Sequence, residues 1–253
     1  GVQTCALPIS VQGQLEDAVV KVLRTTRLRV QCAGRTDAGV HATGQVFHVD
    51  IPTAANPGVE TLARRLNAVL PEDIVVSALA DAPDGFDARF SALSRTYEYL
   101  INDGPRNPMT RRFAHQHPYP VDVELMHSAA QSLVGLNDFT SFCRPKENGT
   151  AIRDLQRFEW QRRADGMIAV TVTADAFCWS MVRMLVGAVL DVGAGRQPAE
   201  WLVQYLAARE RHSGVFVAPA HGLTLVSVTY PPDDQLAARQ EQTKNIRAAD
   251  GSH

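Results

Sequence analysis

The sequence has no long apolar run, few cysteines and no evident leader. No stretch approaches the roughly 20 apolar residues that a membrane-spanning helix requires, and no basic segment followed by an apolar core opens the chain. We therefore expect no membrane association, no secretion signal and a cytoplasmic location. The four cysteines lie far apart, without a Cys-x-x-Cys pair. Their spacing predicts reduced thiols rather than a disulfide framework or a zinc ribbon.

Cofactor motifs are missing as well. Neither Gly-x-Gly-x-x-Gly nor Gly-x-x-x-x-Gly-Lys-Ser/Thr occurs, so the sequence predicts no nucleotide cofactor. His41 and His48 stand close to Asp37 in the sequence, but they do not have the His-x-x-x-His spacing of a helical metal site. No glutamate or cysteine stands near them in a familiar ligand pattern. We expect no metal and no other cofactor.

The charge of the chain is nearly balanced, which by itself does not favour a nucleic-acid binder. The 25 basic and 27 acidic residues give a net charge of −2. The basic residues are mostly arginines, however, and they cluster around 24–35, 106–112 and 144–163. A planar guanidinium suits phosphate contact and base stacking, so this bias is compatible with RNA binding. A GC-rich genome would give the same bias, and charge leaves the question open.

The most informative stretch is the run CAGRTDAGVHA over 32–42, in which one carboxylate, Asp37, lies between Gly34 and Gly39. Glycine tolerates positive φ and close backbone approach, so the run predicts a sharply turned loop. Alternating segments precede and follow it, which indicates a loop held between two strands. Catalytic groups are often found on loops with such a rigid base. The alternative is an Asx-turn, in which Asp37 only bonds its own backbone.

The residues of this loop are similar to a known signature. Gly-Arg-Thr-Asp-Ala-Gly-Val-His over 34–41, followed by Gly-Gln-Val over 44–46, resembles the active site of the tRNA pseudouridine synthase A family. This family makes pseudouridine at positions 38–40 of tRNA, and the resemblance implies that Asp37 is the nucleophile. It extends from Ser10 to about Tyr230. The family's first strand and its Tyr-Asp-Gly…Gly-Trp-Gln loop have no counterpart here, so we expect a gap in the N-terminal sheet.

Further matches imply roles for four other residues. Phe-x-x-x-Met-Val-Arg over 177–183 matches a family segment whose arginine forms an ion pair with the catalytic aspartate, which implies that role for Arg183. The resemblance also implies that Tyr97 packs on the target uracil and that Leu223 lines the uracil pocket. It implies that Arg35 helps to displace the target base and contacts the RNA.

Local patterns alone would leave these roles open. Arg183 lies in an apolar helical stretch, where a buried charge would need a partner, but it could also lie on a solvated face or bond a neighbouring carbonyl. Tyr97 and Tyr99 are spaced to point the same way from one strand and could both be core residues. Arg35 could be a surface charge, and Leu223 could simply belong to the core.

The order of the elements favours an α+β protein. The resemblance implies two ferredoxin-like halves that form a mixed, mainly antiparallel sheet around a central cleft. We expect a non-family segment over 1–9, an N-terminal half with the aspartate loop over 10–104, a C-terminal half over 105–230 and a disordered tail over 231–253. Periodicity predicts helices from 11 and over 58–69, 122–134, 179–192 and 198–209, and strands over 27–32, 45–51, 74–76, 95–101, 152–163, 167–174 and 223–230.

The expected function is isomerisation of uridine to pseudouridine at positions 38–40 in the anticodon stem-loop of tRNA. The resemblance also implies a homodimer. Two alternatives remain open at this point. The chain could be a non-catalytic RNA-binding module of the same fold, or an aspartate-dependent hydrolase. The hydrolase would need a second carboxylate or base near Asp37, and nothing in the loop marks one.

Overall fold

The computed structural model describes residues 10–26, 28–143, 150–211 and 214–244. The predicted segment 1–9 lies outside the described residues. The helices are α1 Val11–Leu23, α2 Val59–Asn67, α3 Val123–Gln131, α4 Met181–Gly193, α5 Trp201–Ala208 and α6 Leu236–Lys244. The strands are β1 Gln31–Cys32, β2 His41–Ala42, β3 Phe47–His48, β4 Ser94–Asn102, β5 His115–Gln116, β6 Gly135–Asp138, β7 Ile152–Arg162, β8 Ile168–Ala174 and β9 Leu223–Thr229.

One seven-stranded sheet organises the described chain. Its order is β2-β9-β4-β8-β7-β6, with β5 beside β4. The pairings of β4 with β8 and β9, and of β7 with β6 and β8, are antiparallel, whereas β2–β9 and β4–β5 are parallel. The expectation of an α+β protein with a mixed, mainly antiparallel sheet is confirmed. The central strand β4 comes from the predicted N-terminal half, but its long partners β8 and β9 come from the C-terminal half.

Strand β4 forms where the prediction placed it because its side chains alternate. Tyr97, Tyr99 and Ile101 are buried on one face, and the intervening residues are less buried. That face packs against α4, in which every residue from Met184 to Val192 is buried. A helix that is apolar on nearly all sides must lie inside the protein, and α4 is the central helix of the larger core.

The N-terminal half has a smaller core of its own. The hydroxyl of Ser10 accepts a hydrogen bond from Gly13 N at 3.1 Å and caps α1. Leu15 and Val19 of α1 pack against Leu62 and Leu66 of α2. Below them, β1 and β3 form a two-stranded antiparallel pair. No helix in the described ranges combines the length and the apolar character needed to cross a lipid bilayer.

Three local expectations were wrong. Ile74–Val76 does not form a strand; the side chain of Asn67 instead bonds both the N–H and the carbonyl of Val76, at 2.8 and 2.9 Å. Of the predicted strands over 27–32 and 45–51, only the two-residue β1 and β3 form among the described residues, and residue 27 lies outside them. Cys143 and Cys178 form a disulfide across 35 residues, although their wide spacing predicted reduced thiols. Sequence spacing could not show that the fold brings them together.

The predicted disorder of the tail 231–253 is wrong for Leu236–Lys244, which form α6. Leu236 is 1% exposed, and Ala237 Cα would lie 3.6 Å from a Cβ added at Gly85. Arg239 Nε donates to Ala92 O at 3.3 Å. The helix therefore docks on the segment just before β4 through few residues. Its sequence is mostly polar, so no apolar periodicity marked it. Residues 245–253 lie outside the described part of the chain.

Gly187 allows α4 to lie directly against the backbone of Phe216, and replacing this glycine should destabilise the fold. A Cβ on Gly187 would lie 1.8 Å from the carbonyl oxygen of Phe216. Gly187→Ala should therefore cost about 3 kcal/mol or more of unfolding free energy, because backbone must move to admit the methyl group. Urea denaturation followed by circular dichroism measures the loss. Gly13→Ala in α1 is the matched control, since an added Cβ meets only Ser10 Oγ at 3.3 Å, and it should cost nothing or stabilise slightly.

Candidate active site

Asp37 lies in the loop that joins β1 to β2. The loop turns sharply: Val40 N donates to Asp37 O at 3.1 Å, and Gly39 has a φ of 84°. Gln45 holds the two ends together, since its Nε2 donates to Gly34 O at 2.9 Å and its Oε1 accepts from Gly34 N at 3.4 Å. The predicted turned loop between two strands is thus observed, although both strands are short.

Strand β9 supports the far end of this loop. Thr43 N donates to Leu225 O at 2.9 Å. A Cβ on Gly44 would lie 2.1 Å from Val226 O, so only glycine lets the loop backbone approach β9 this closely. The loop that carries Asp37 is therefore attached to the central sheet and not to the N-terminal half alone.

Arg95, which sequence reasoning missed, supports the near end. Its guanidinium is buried and donates to three carbonyl oxygens, those of Ala33, Arg89 and Asp175, at 3.0, 2.6 and 2.8 Å. Burial lowers the pKa of Arg95 below its usual range. The contact with Ala33 fixes the residue at which the aspartate loop begins. No local pattern distinguishes this arginine from the others in the sequence.

Arg183 of α4 forms an ion pair with Asp37 across 146 residues of sequence. Arg183 Nη1 lies 2.8 Å from Asp37 Oδ2, and the two side chains are 20% and 21% exposed. Arg183 is itself held by Ala218: its Nε donates to Ala218 O at 2.7 Å, and Ala218 N donates to Arg183 O at 3.0 Å. The structure brings together the two residues that the resemblance paired, and leaves the carboxylate open to solvent on one side.

Ser180 is a second contact of Asp37 that sequence reasoning did not identify. It precedes α4, and its hydroxyl lies 3.4 Å from Asp37 Oδ2, the oxygen that Arg183 also binds. Its backbone is left-handed, with φ 64° and ψ 7°. The predicted helix over 179–192 includes Ser180 as an ordinary residue of its first turn, so the sequence carries no signal for this contact.

Tyr97 lies beside the aspartate loop. Its ring meets that of Phe177 edge-on at 5.2 Å between centroids, and a Cβ on Gly34 would lie 3.8 Å from its hydroxyl. The residue is 7% exposed. Burial, with a smaller contribution from the charge of Asp37, raises the pKa of Tyr97 to about 12. The ring is therefore neutral at physiological pH and forms an apolar wall next to the carboxylate.

Tyr99 and Leu223 lie on neighbouring strands in the same layer. The two residues are opposite each other in the β4–β9 register, and both belong to the core. Tyr99 OH donates to Pro219 O at 2.9 Å, and burial raises its pKa well above the usual range. Leu223 is 5% exposed. Arg35 is exposed two residues before Asp37.

The described part of the chain contains no group of three or more histidine, cysteine, aspartate or glutamate side chains arranged to hold a metal ion. His41 Nε2 instead lies 2.7 Å from the carbonyl oxygen of Arg112, and His48 Nδ1 accepts from Ala88 N at 3.0 Å. The site is built from a carboxylate, a guanidinium, a hydroxyl and an aromatic wall. These groups can act on a polar substrate by nucleophilic or general-base chemistry at Asp37.

Comparison with known proteins gives the class of this site. A family model described as tRNA pseudouridine synthase matches residues 129–231. A tRNA pseudouridine synthase A from Frankia casuarinae is 52% identical over 240 residues, which cover 94% of this chain and 87% of the relative. Relatives of the same name from Streptomyces griseus and Mycobacterium leprae are 48% and 46% identical and cover 96% and 93% of this chain and 87% and 86% of their own length.

The alignments with these relatives include both the aspartate loop and the segment with Arg183, so every residue of the site lies within the aligned region. The chain belongs to the tRNA pseudouridine synthase A family, whose members are isomerases that convert uridine to pseudouridine in tRNA.

Proposed function

We propose that this protein converts uridine to pseudouridine at positions 38–40 in the anticodon stem-loop of tRNA, with Asp37 as the nucleophile. The observation that carries the proposal is the 2.8 Å ion pair between Asp37 and Arg183, beside the ring of Tyr97. The site therefore has a carboxylate whose orientation is fixed by an arginine, and next to it an apolar surface on which an extruded base can stack. An enzyme that works on a base inside a stem-loop needs both features.

The reaction requires no cofactor. The bond between C1′ and N1 breaks, the uracil turns while it is held, and C5 forms a new bond to C1′. The proton on C5 leaves and N1 gains one, so that atoms and electrons balance without an oxidant or a donor group. Asp37 acts on the reacting nucleotide, and Arg183 balances its charge. Tyr97 and Leu223 hold the base, and Arg35, exposed next to Asp37, contacts the RNA and helps to displace the base.

The substrate is a polyanion, and the surface offers cations for its phosphates. Lys21, Arg24 and Arg65 line one open hollow of about 530 Å³ between α1 and α2, and within the described chain none of the three has a carboxylate within ion-pair distance. Contacts of this kind supply affinity without sequence selectivity and weaken as salt rises. By the family resemblance, we further propose that the protein is cytoplasmic and acts as a homodimer.

Unmodified tRNA transcripts test this function. The purified protein is incubated with transcripts that carry uridine at position 38, 39 or 40 alone, and with one that carries none. Carbodiimide mapping then locates pseudouridine, and tritium release from C5-labelled uridine gives the rate. We expect pseudouridine only at these three positions. Binding without any tritium release would instead support the RNA-binding module, and modification elsewhere would refute the anticodon assignment.

Tyr97 should act through its ring and not through its hydroxyl. Tyr97→Ala removes the wall beside Asp37 and should lower kcat on the order of 100-fold, because the base loses its stacking surface. Tyr97→Phe keeps the ring and its contact with Phe177 and should stay within about threefold of the parent enzyme. Since burial raises the pKa of Tyr97 to about 12, the kcat profile of the parent enzyme should show no ionisation of this residue up to about pH 10. A Phe variant as slow as the Ala variant would show that the hydroxyl takes part.

A further inference from the structure

Ser180 has a conformation that its local sequence does not require. It immediately precedes α4 with φ 64° and ψ 7°, in the left-handed region that favours glycine. A serine in this position normally has an extended backbone, and its hydroxyl accepts a bond from the first turn of the helix. Ser180 makes no such capping bond. The helix therefore gains nothing from this hydroxyl, and the backbone strain needs another explanation.

The hydroxyl of Ser180 instead faces the carboxylate of Asp37. It lies 3.4 Å from Oδ2, and Arg183 Nη1 lies 2.8 Å from the same oxygen. Both donors come from the start of α4, one from the residue before the helix and one from its first turn. The other oxygen, Oδ1, has no hydrogen-bond donor among the residues that the structure describes. Two donors on one oxygen fix the plane of a carboxylate and leave the second oxygen free.

We propose that Ser180 is a positioning residue: together with Arg183 it holds Asp37 Oδ2, so that Oδ1 is the atom presented to the reacting nucleotide. The proposal rests on the proposed function and goes beyond it by naming a new residue and by distinguishing the two carboxylate oxygens. A single ionic contact from Arg183 would leave the carboxylate free to rotate about its Cβ–Cγ bond. The second donor removes that freedom before the substrate binds.

Three substitutions of Ser180 separate positioning from folding. Ser180→Gly removes the hydroxyl but suits the left-handed backbone, so its Tm should equal or exceed that of the parent enzyme. Its kcat should nevertheless fall about tenfold at an unchanged KM for tRNA. Ser180→Ala should lose as much kcat and also some Tm. Ser180→Asn tolerates the same backbone and restores a donor, so it should recover most of the lost kcat.

Ser132→Ala is the matched control. Among the described residues, the Ser132 hydroxyl bonds only the carbonyl of Ala129, at 2.7 Å, in the last turn of α3. Its loss should leave kcat unchanged. If activity follows Tm across the Ser180 variants, Ser180 is structural and the proposal is overturned. Full kcat in Ser180→Gly would overturn it as well.

A crystal structure of Ser180→Gly tests the geometry without relying on turnover. We expect the Asp37 carboxylate to rotate or to occupy two orientations, whereas in the parent enzyme Oδ2 stays on Arg183. An unchanged single orientation in the variant would overturn the positioning role. Absence of pseudouridine formation by the parent enzyme would refute the proposed function instead, and the two failures are therefore distinguishable.

Discussion

Asp37→Asn should abolish pseudouridine formation while leaving tRNA affinity within about twofold of the parent enzyme. The amide has nearly the shape of the carboxylate and still offers an oxygen to Arg183, so the loop should keep its position. It lacks the negative charge that makes the group a nucleophile. We therefore expect the tritium-release rate to fall by on the order of 1,000-fold or more, as is typical when an essential nucleophile is removed. Filter binding at a fixed salt concentration gives the affinity.

Asp50→Asn is the matched control for this substitution. Asp50 is exposed and lies two residues after β3. Its replacement by asparagine removes the same charge from the same half of the chain. Neither its turnover nor its tRNA affinity should change by more than about twofold. If Asp37→Asn kept substantial turnover, another group would have to be the nucleophile. If it lost tRNA binding in parallel, the residue would serve the RNA interface and not the chemistry.

The sequence predicted the parts of the fold that depend on alternation. The long strands β4, β7 and β8 begin and end within about two residues of their predicted bounds, because each alternates between a buried and a more exposed face. Strand β1 is much shorter than expected, and 74–76 has no strand at all. In those segments Val30 and Val76 are buried in the core that α1 and α2 form, although no long ladder of hydrogen bonds is present. Periodicity cannot distinguish such a buried segment from a paired strand.

The sequence predicted those residues of the site that belong to a local motif. The Asp37 loop and the Arg183 segment each had a recognisable pattern, and the structure joins them at 2.8 Å. Arg95 and Ser180 had none. Arg95 acts through carbonyl oxygens, which every residue carries. Ser180 acts through a backbone conformation that its residue type does not favour. Such contacts depend on the path of distant segments, and local sequence does not encode it.

Removal of Arg183 should cost both stability and activity. Arg183→Met leaves the Asp37 charge without its partner in a setting that is about one-fifth exposed. Breaking a fully buried pair costs about 3–5 kcal/mol, and solvent at this site should reduce the loss to about 1–3 kcal/mol. The substitution also removes the bond from Nε to Ala218 O. The carboxylate is then no longer aimed, so kcat should fall by on the order of 100-fold or more. Urea denaturation and tritium release measure the two effects.

A double substitution shows whether the cost comes from the unpaired charge. Arg183→Met combined with Asp37→Asn should be more stable than Arg183→Met alone, because no carboxylate is left unpaired. If the loss of unfolding free energy in the double variant equalled the sum of the two single losses, the two side chains would not be coupled by an ion pair. Arg196→Met is the control, since its 2.8 Å pair with Asp191 also involves α4 but its side chain is 51% exposed. That exposed pair should contribute at most about 1 kcal/mol. Such a result would show that Asp37 and Arg183 are coupled through the ion pair that joins the aspartate loop to α4.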